Sequence, residues 1–242
     1  MSNSTGTKNP KISYQKGTIL DKRILSQKVT LFKIKPEVVF EWVPGQFIIT
    51  KNMISGEERV ADYSILSSPT VINEFEIAVE NYEGSRVGKY LHSLKPGDNF
   101  IFKAPRGGFL LEKNPNSSIF VFRNIGIAAI IPLLNQLYEK NSKEKFIVFN
   151  FNSSDFTEIF KTRFDKFRER LDLTYNLIDI NVLDSQVINN GKLNKNQMRT
   201  LFSEYTDFKL YIAGASEFVK NFRQKAISFG FDKNNIVREF FG

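Results

Sequence analysis

The sequence predicts a β + α/β chain: an N-terminal six-stranded antiparallel Greek-key barrel, then a five-stranded doubly wound parallel sheet. Three observations predict it. Before residue 111, short stretches rich in Val, Ile, Phe and Tyr recur between turn signals, with no long helical pattern. After residue 117, buried-type strand runs alternate with stretches of helical periodicity. Between them, Glu112-Lys113-Asn114-Pro115-Asn116-Ser117 is a polar break, which places the boundary at 112/113 and gives domains 1–112 and 113–242.

In the first half the expected strands are 17–25, 29–34, 46–51, 59–66, 74–80 and 99–103. Pro44-Gly45, the stretch from Asn81 to Gly84, and Pro96-Gly97 supply turns, because proline presets φ and glycine accepts positive φ. In the second half the expected strands are 118–123, 146–151, 173–179, 208–213 and 235–240. Between them lie amphipathic stretches at 127–140, 156–171, 194–202 and 217–229; in the last, Phe218, Phe222 and Phe229 recur at helical spacing. Such a sheet binds ligands at the carboxyl ends of its strands, here near 124–126, 151–154, 180–183 and 214–217.

Composition narrows the chemistry. The 242 residues are 41% hydrophobic and 25% charged, which is globular rather than disordered. There is no cysteine, so disulfides, thiolate metal sites, cysteine nucleophiles and a Cys-ligated cluster are excluded, and redox chemistry requires a bound cofactor. The single histidine, His92, leaves no room for a His-rich metal site and is assigned no role; no metal is expected. The longest apolar run, Ile125 to Leu134, is shorter than a membrane span and contains Pro132. The first ten residues lack the apolar core of a secretion signal, so a cytoplasmic location is the expectation.

The net charge of +8 is concentrated at the start, where Lys8, Lys11, Lys16, Lys22, Arg23, Lys28, Lys33 and Lys35 face only Asp21. Either a solvated surface or a steering face for an acidic partner or anionic cofactor follows; no nucleic-acid motif accompanies it.

The stretch Asp62-Tyr63-Ser64-Ile65-Leu66-Ser67-Ser68-Pro69 ends a strand with an aromatic ring beside hydroxyls and a breaker. A flat heteroaromatic ligand needs such a ring to stack on and a hydroxyl to donate to a ring nitrogen, although a packed ring and a turn serine read the same way. Pro44-Gly45-Gln46-Phe47 precedes it, and Tyr90-Leu91-His92-Ser93-Leu94-Lys95-Pro96-Gly97-Asp98 and Pro105-Arg106-Gly107-Gly108-Phe109 follow. The second half adds Gly126 opening a helix, Tyr211-Ile212-Ala213-Gly214 ending a strand, and a closing Glu239-Phe240-Phe241-Gly242.

In that order these segments resemble the ferredoxin-NADP reductase family, from about residue 12 to the end. The resemblance implies a barrel that holds a flavin, FAD or FMN, and a sheet domain that presents NADPH or NADH for hydride transfer. It implies that Tyr63 stacks on the flavin and Ser64 lies near its reactive nitrogen, with Asp62 and Ile65 beside them. Strand residues Ala78 and Val79 would offer backbone groups, and Arg86, Val87, Gly88 and Lys89 would face the phosphates at the start of a short helix. Phe240 and Phe241 would cover the opposite flavin face or simply close the fifth strand. Asn124, Gly126, Ser153 and Gly214 would line the nucleotide site.

Several positions depart from the family pattern. The arginine two residues before the stacking tyrosine is Ala61, with Arg59, Arg86 or Lys89 as substitutes, and the serine two before Tyr90 is Gly88. The Gly-Gly-x-Gly turn reads Arg123-Asn124-Ile125-Gly126, its following proline is absent, and the thiol position after the fourth strand is Ala213. Ser153 stands where an arginine often grips a 2′-phosphate, with Lys161 or Arg163 nearby in sequence. The implied activity is electron transfer from NAD(P)H through flavin to a separate acceptor, a ferredoxin, a flavodoxin or a small molecule. The alternative is a reductase-like module that binds flavin or a partner and no longer uses a nicotinamide.

Overall fold

The computed structural model describes residues 13–113, 116–152, 160–179 and 195–241. Strands β1 (Gln15–Ile24), β2 (Val29–Pro36), β3 (Phe47–Ile54), β4 (Glu57–Ser64), β5 (Phe75–Glu80) and β6 (Asn99–Arg106) form one antiparallel sheet in the order β4-β3-β6-β1-β2-β5. Its two outer strands meet: Ile65, just past β4, bridges Ile77 of β5, and the Leu66 N–H donates to the Glu76 carbonyl at 2.8 Å. Closing the sheet this way removes the unpaired edges that a six-stranded open sheet would expose. Inside, Phe32, Ile34, Ile48, Phe75, Val79 and Phe102 are at most 2% exposed.

Sequence periodicity underestimated one hairpin. Strands β3 and β4 run on to Ile54 and from Glu57, joined by Ser55-Gly56 with φ of 52° and 81°. Two successive positive φ values make the tight turn whose twist matches an antiparallel pair. The consequence is a strict register in which Asn52 faces Arg59, Thr50 faces Ala61 and Ile48 faces Tyr63.

Helix α1 (Arg86–Ser93) caps the barrel; Ser85 is its N-cap, accepting from the Gly88 N–H at 3.1 Å. His92, on this helix, is bound to the Val79 carbonyl at 3.0 Å through Nε2 and lies 3.3 Å from Thr30 Oγ1 through Nδ1, so it packs the helix onto the barrel.

The second half is built from β7 (Ser118–Phe122), α2 (Ile127–Glu139), β8 (Lys145–Asn152), α3 (Lys161–Arg168), β9 (Asp172–Asp179), α4 (Lys195–Ser203), β10 (Lys209–Ala215), α5 (Ser216–Ser228) and β11 (Ile236–Phe241). All five strands are parallel, in the order β11-β10-β7-β8-β9. The chain winds outward through β8 and β9, then returns to the other side of β7, so the switch point lies between β7 and β10.

The two faces of this sheet are covered differently. On one, Phe202 of α4 packs against Phe149 with ring centres 4.6 Å apart, and against Phe222 and Phe229. On the other, α2 is buried along its whole first two turns because the sheet lies on one side and the barrel on the other. That accounts for the long apolar run in the sequence: Phe120 and Phe146 of the sheet and Val29, Leu31 and Ala78 of the barrel belong to one continuous core around it. Polar contacts reinforce the seam, with Arg163 Nη2 of α3 2.8 Å from Glu76 Oε2 of β5.

Candidate flavin and nucleotide site

Along β4, alternation puts Arg59, Ala61 and Tyr63 on one face, directly across from Asn52, Thr50 and Ile48. Both this set and the alternate residues Val60, Asp62 and Ser64 border a cleft of about 600 Å³, a size typical of small-molecule sites. Asp62, Tyr63 and Ser64 line it from β4, Ala78 and Glu80 from β5, and Arg86 and Val87 from the start of α1. The second half supplies the far wall: Ile125 and Ala128 at the opening of α2, and Phe240 and Phe241 at the end of β11. The structure therefore gathers into one cleft eight residues that the sequence singled out, from four segments up to about 180 residues apart.

The cleft's electrostatics follow from partial burial. Burial pushes the Tyr63 phenol well above its ordinary value, with Tyr82 and Asp62 adding to the effect, so the ring stays neutral. Burial likewise raises the Glu80 carboxyl, opposed by Lys28. Behind the wall, burial and then the Asp62 charge push the Glu239 carboxyl up to about 7. At the outer end, Glu57 joins two guanidiniums: Arg59 Nη2 contacts its Oε2, and Arg86 Nη1 lies 3.2 Å from the same oxygen.

Other expected residues sit elsewhere. Ile65 and Val79 are fully buried inside the barrel; the period of two that brings Ala78 and Glu80 to the cleft turns Val79 away from it. Gly88 lies beneath Ser85, and Lys89 is exposed; neither lines the cleft. Asn124, Gly126 and Gly214 lie at the β7/β10 switch point, beside the cleft rather than in its wall. Ser153 lies outside the described residues. Arg163, one of the residues available for a nucleotide phosphate, is paired with Glu76 and lies over the Phe160 ring, 5.7 Å from its centre.

The switch point shows which family glycines this chain retains and why. A Cβ at Gly126 would stand 2.3 Å from the Ala213 carbonyl oxygen, so only glycine fits where the helix opening crosses β10. Asn124 holds φ of 52°, the left-handed conformation that asparagine tolerates better than most residues. Asparagine thus takes up a left-handed backbone position at 124 that glycine would hold without strain, while Arg123 before it is extended.

Sequence reading did not assign Tyr82, Ser85 or Ala128 to the site, and it reached Ile125 only as part of the 124–126 segment at the end of β7. Period-two spacing from Ala78 brings the Glu80 side chain to the same wall. Nothing local points to Ala128, which reaches the cleft only because the sheet domain docks on the barrel. Among the described residues no group of acidic or histidine side chains is arranged to hold a metal, and no helix is long and apolar enough to cross a membrane.

The residues present fit a flavin. An aromatic face and a buried hydroxyl stand at one end of the cleft, and at the other the buried Arg59 Nε has no partner among the described residues.

Comparison with known proteins agrees with this geometry. Residues 16–110 match the family model of the oxidoreductase FAD-binding domain. The glycine betaine monooxygenase reductase subunit of Pseudomonas aeruginosa is 22% identical over 217 residues, covering 87% of this chain and 59% of that protein. A flavohemoprotein of Candida albicans is 27% identical over 190 residues, 74% of this chain and 47% of its own length. The chain thus spans about half the length of these relatives. Among solved structures, a ferredoxin NADP+ reductase from Neisseria gonorrhoeae with bound FAD and NADP superposes with a TM-score of 0.77 at 16% identity, covering 94% of this chain and 98% of that one. An Amycolatopsis cytochrome P450 reductase gives 0.78 at 12% identity, covering 95% and 70%. Residues 16–110 match the model of an oxidoreductase FAD-binding domain, and the chain as a whole has the fold of the ferredoxin NADP+ reductase on which it superposes.

Proposed function

We propose that this chain is an NAD(P)H-dependent flavoprotein reductase that holds FAD in the cleft between barrel and sheet and delivers electrons to a separate acceptor. The observation that carries the reading is that one cleft is walled by Tyr63 and Ser64 from the barrel and by Ile125 and Ala128 from the nucleotide-type switch point. Bound FAD would take a hydride from NADPH or NADH and release electrons one or two at a time. Tyr63 would give the flavin ring a neutral stacking face, and Ser64, 5% exposed, would donate to its edge. Phe240 and Phe241 would exclude water from the opposite side. We divide the chain at 112/113 into a flavin barrel and a nucleotide domain.

The acceptor we infer is a ferredoxin, a flavodoxin or a small molecule, since the chain has no cysteine for a cluster of its own. The reductase subunits among its relatives and its net charge of +8 support an acidic protein acceptor. A second reading, a flavin module that no longer uses a nicotinamide, is favoured by Arg123, Asn124, Ala129, Ser153 and Ala213 standing at altered family positions. The purified protein's visible spectrum, followed anaerobically after NADPH and then NADH, decides between them. Bleaching of a yellow protein supports the reductase; a flavin that stays oxidised with both donors supports the module.

A further inference from the structure

We propose that the cleft grips its dinucleotide through Arg59 and Arg86, two residues further out than the position now held by Ala61, and that this makes it selective for FAD over FMN. The inference rests on the flavin reading above. At about 3.4 Å per residue, Ala61 stands about 7 Å from Tyr63 along β4 and Arg59 about 13 Å. The ribityl chain of a flavin stacked at Tyr63 reaches its first phosphate within about 7 to 8 Å, reckoned from bonds of about 1.5 Å. The phosphate of FMN would therefore come to rest beside the methyl of Ala61. The second phosphate of FAD carries charge further along the same wall, toward Arg59.

Four observations place anion-binding groups at the outer position. Arg59 Nε is buried and has no partner among the described residues. Asn52, the register partner of Arg59, stands behind the cleft wall at 5% exposure, and its buried Nδ2 also has no partner among them. Buried donors of this kind are costly unless an acceptor meets them. Arg86 reaches in from the first turn of α1, whose leading N–H groups have no intrahelical acceptor. Glu57, six residues before Tyr63, holds both guanidiniums at the outer end of β4, and its carboxylate opposes an anion there, as do Asp62 and Glu80 elsewhere in the cleft wall. These ion pairs are more than a third exposed, so their partners exchange readily for a phosphate oxygen.

The helix has been rebuilt to suit. A side chain at Gly88 would put its Cβ 2.3 Å from Ser85 Oγ and 2.7 Å from the Glu80 carbonyl oxygen. A hydroxyl at position 88 is thereby excluded, and Ser85 caps the helix instead.

The test is titration of flavin-stripped protein with FAD, FMN and riboflavin, read by flavin fluorescence and absorbance. Wild type is expected to bind FAD at least about tenfold more tightly than FMN, and FMN no better than about threefold over riboflavin. Arg59→Gln and Arg86→Gln should each weaken FAD by about ten- to a hundredfold while leaving riboflavin unchanged. Ala61→Arg should tighten FMN about tenfold with riboflavin again unchanged, and it tests the proposal even where Arg59→Gln fails to fold. Equal affinity of wild type for FAD and FMN would overturn the proposal, as would an Arg59→Gln variant that loses riboflavin as much as FAD, or an Ala61→Arg variant indifferent to FMN. A wild-type protein that takes up none of the three flavins overturns the flavin reading itself, and the clamp with it.

Discussion

Glu239 gives the stability of this protein a pH dependence that one substitution can isolate. It lies on β11, the strand that ends in Phe240 and Phe241, and burial together with the Asp62 charge raises its carboxyl to about 7. The folded state therefore holds this proton more tightly than the unfolded chain, where a glutamate titrates near 4.3. Stability from this group is complete below the unfolded value and is lost as pH rises through about 7. At 1.36 kcal/mol per pH unit the full shift corresponds to about 3.7 kcal/mol, but Glu239 is only partly buried, and solvent screening brings the expected figure to about 1–2 kcal/mol. Glu239→Gln keeps the shape and removes the titration. Urea unfolding of wild type and Glu239→Gln at pH 5 and pH 8 measures the difference directly. Relative to the variant, wild type should lose about 1–2 kcal/mol between the two pH values. Parallel stability curves for the two proteins would refute the argument, because they would mean that Glu239 titrates alike folded and unfolded. Asp62→Asn should recover part of the loss, since it removes the neighbouring charge.

Three further outcomes follow from the packing. Gly126→Ala places a methyl 2.3 Å from a backbone oxygen that cannot rotate away, so it should cost about 1–3 kcal/mol in urea unfolding and disturb the β7/β10 switch point. Phe202→Ala empties the centre of the α4/α5 face, where four other phenylalanines surround it, and should cost about 3–5 kcal/mol by thermal or urea melting. Arg163→Gln removes the ion pair between α3 and the barrel while Glu76 keeps Arg23 at 3.1 Å, so a double-mutant cycle with Glu76→Gln should yield a coupling of about 0.5–1.5 kcal/mol that falls with added salt.

What the sequence by itself determined is set by local physics. Period-two and period-3.6 patterns, broken at Pro44-Gly45, Pro96-Gly97 and the polar stretch after Leu111, were enough for all eleven strands to be expected close to where they lie. The Tyr63-Ser64 pair stood out locally as a ring followed by hydroxyls at a strand end, but only its order among the neighbouring segments set it apart from a packed ring and a turn serine. The tight Ser55-Gly56 turn was not legible, because serine in a left-handed conformation carries no strong signal of its own. With it went the register that sets Asn52 against Arg59, which is decided by pairing across the sheet.

The tertiary structure alone decided which members of each segment line the cleft. Val79 and Ala78 are adjacent in sequence and indistinguishable in chemistry, yet one fills the barrel and the other lines the cleft. Ala128 reads as part of the apolar start of a buried helix and lines the cleft only because that helix is clamped between sheet and barrel. Arg163 read as an available cation and turned out to be committed to Glu76, 87 residues earlier in the chain. Local sequence fixes what a residue can do; docking of two separately patterned halves fixes what it meets, because burial and pairing are set by neighbours distant along the chain.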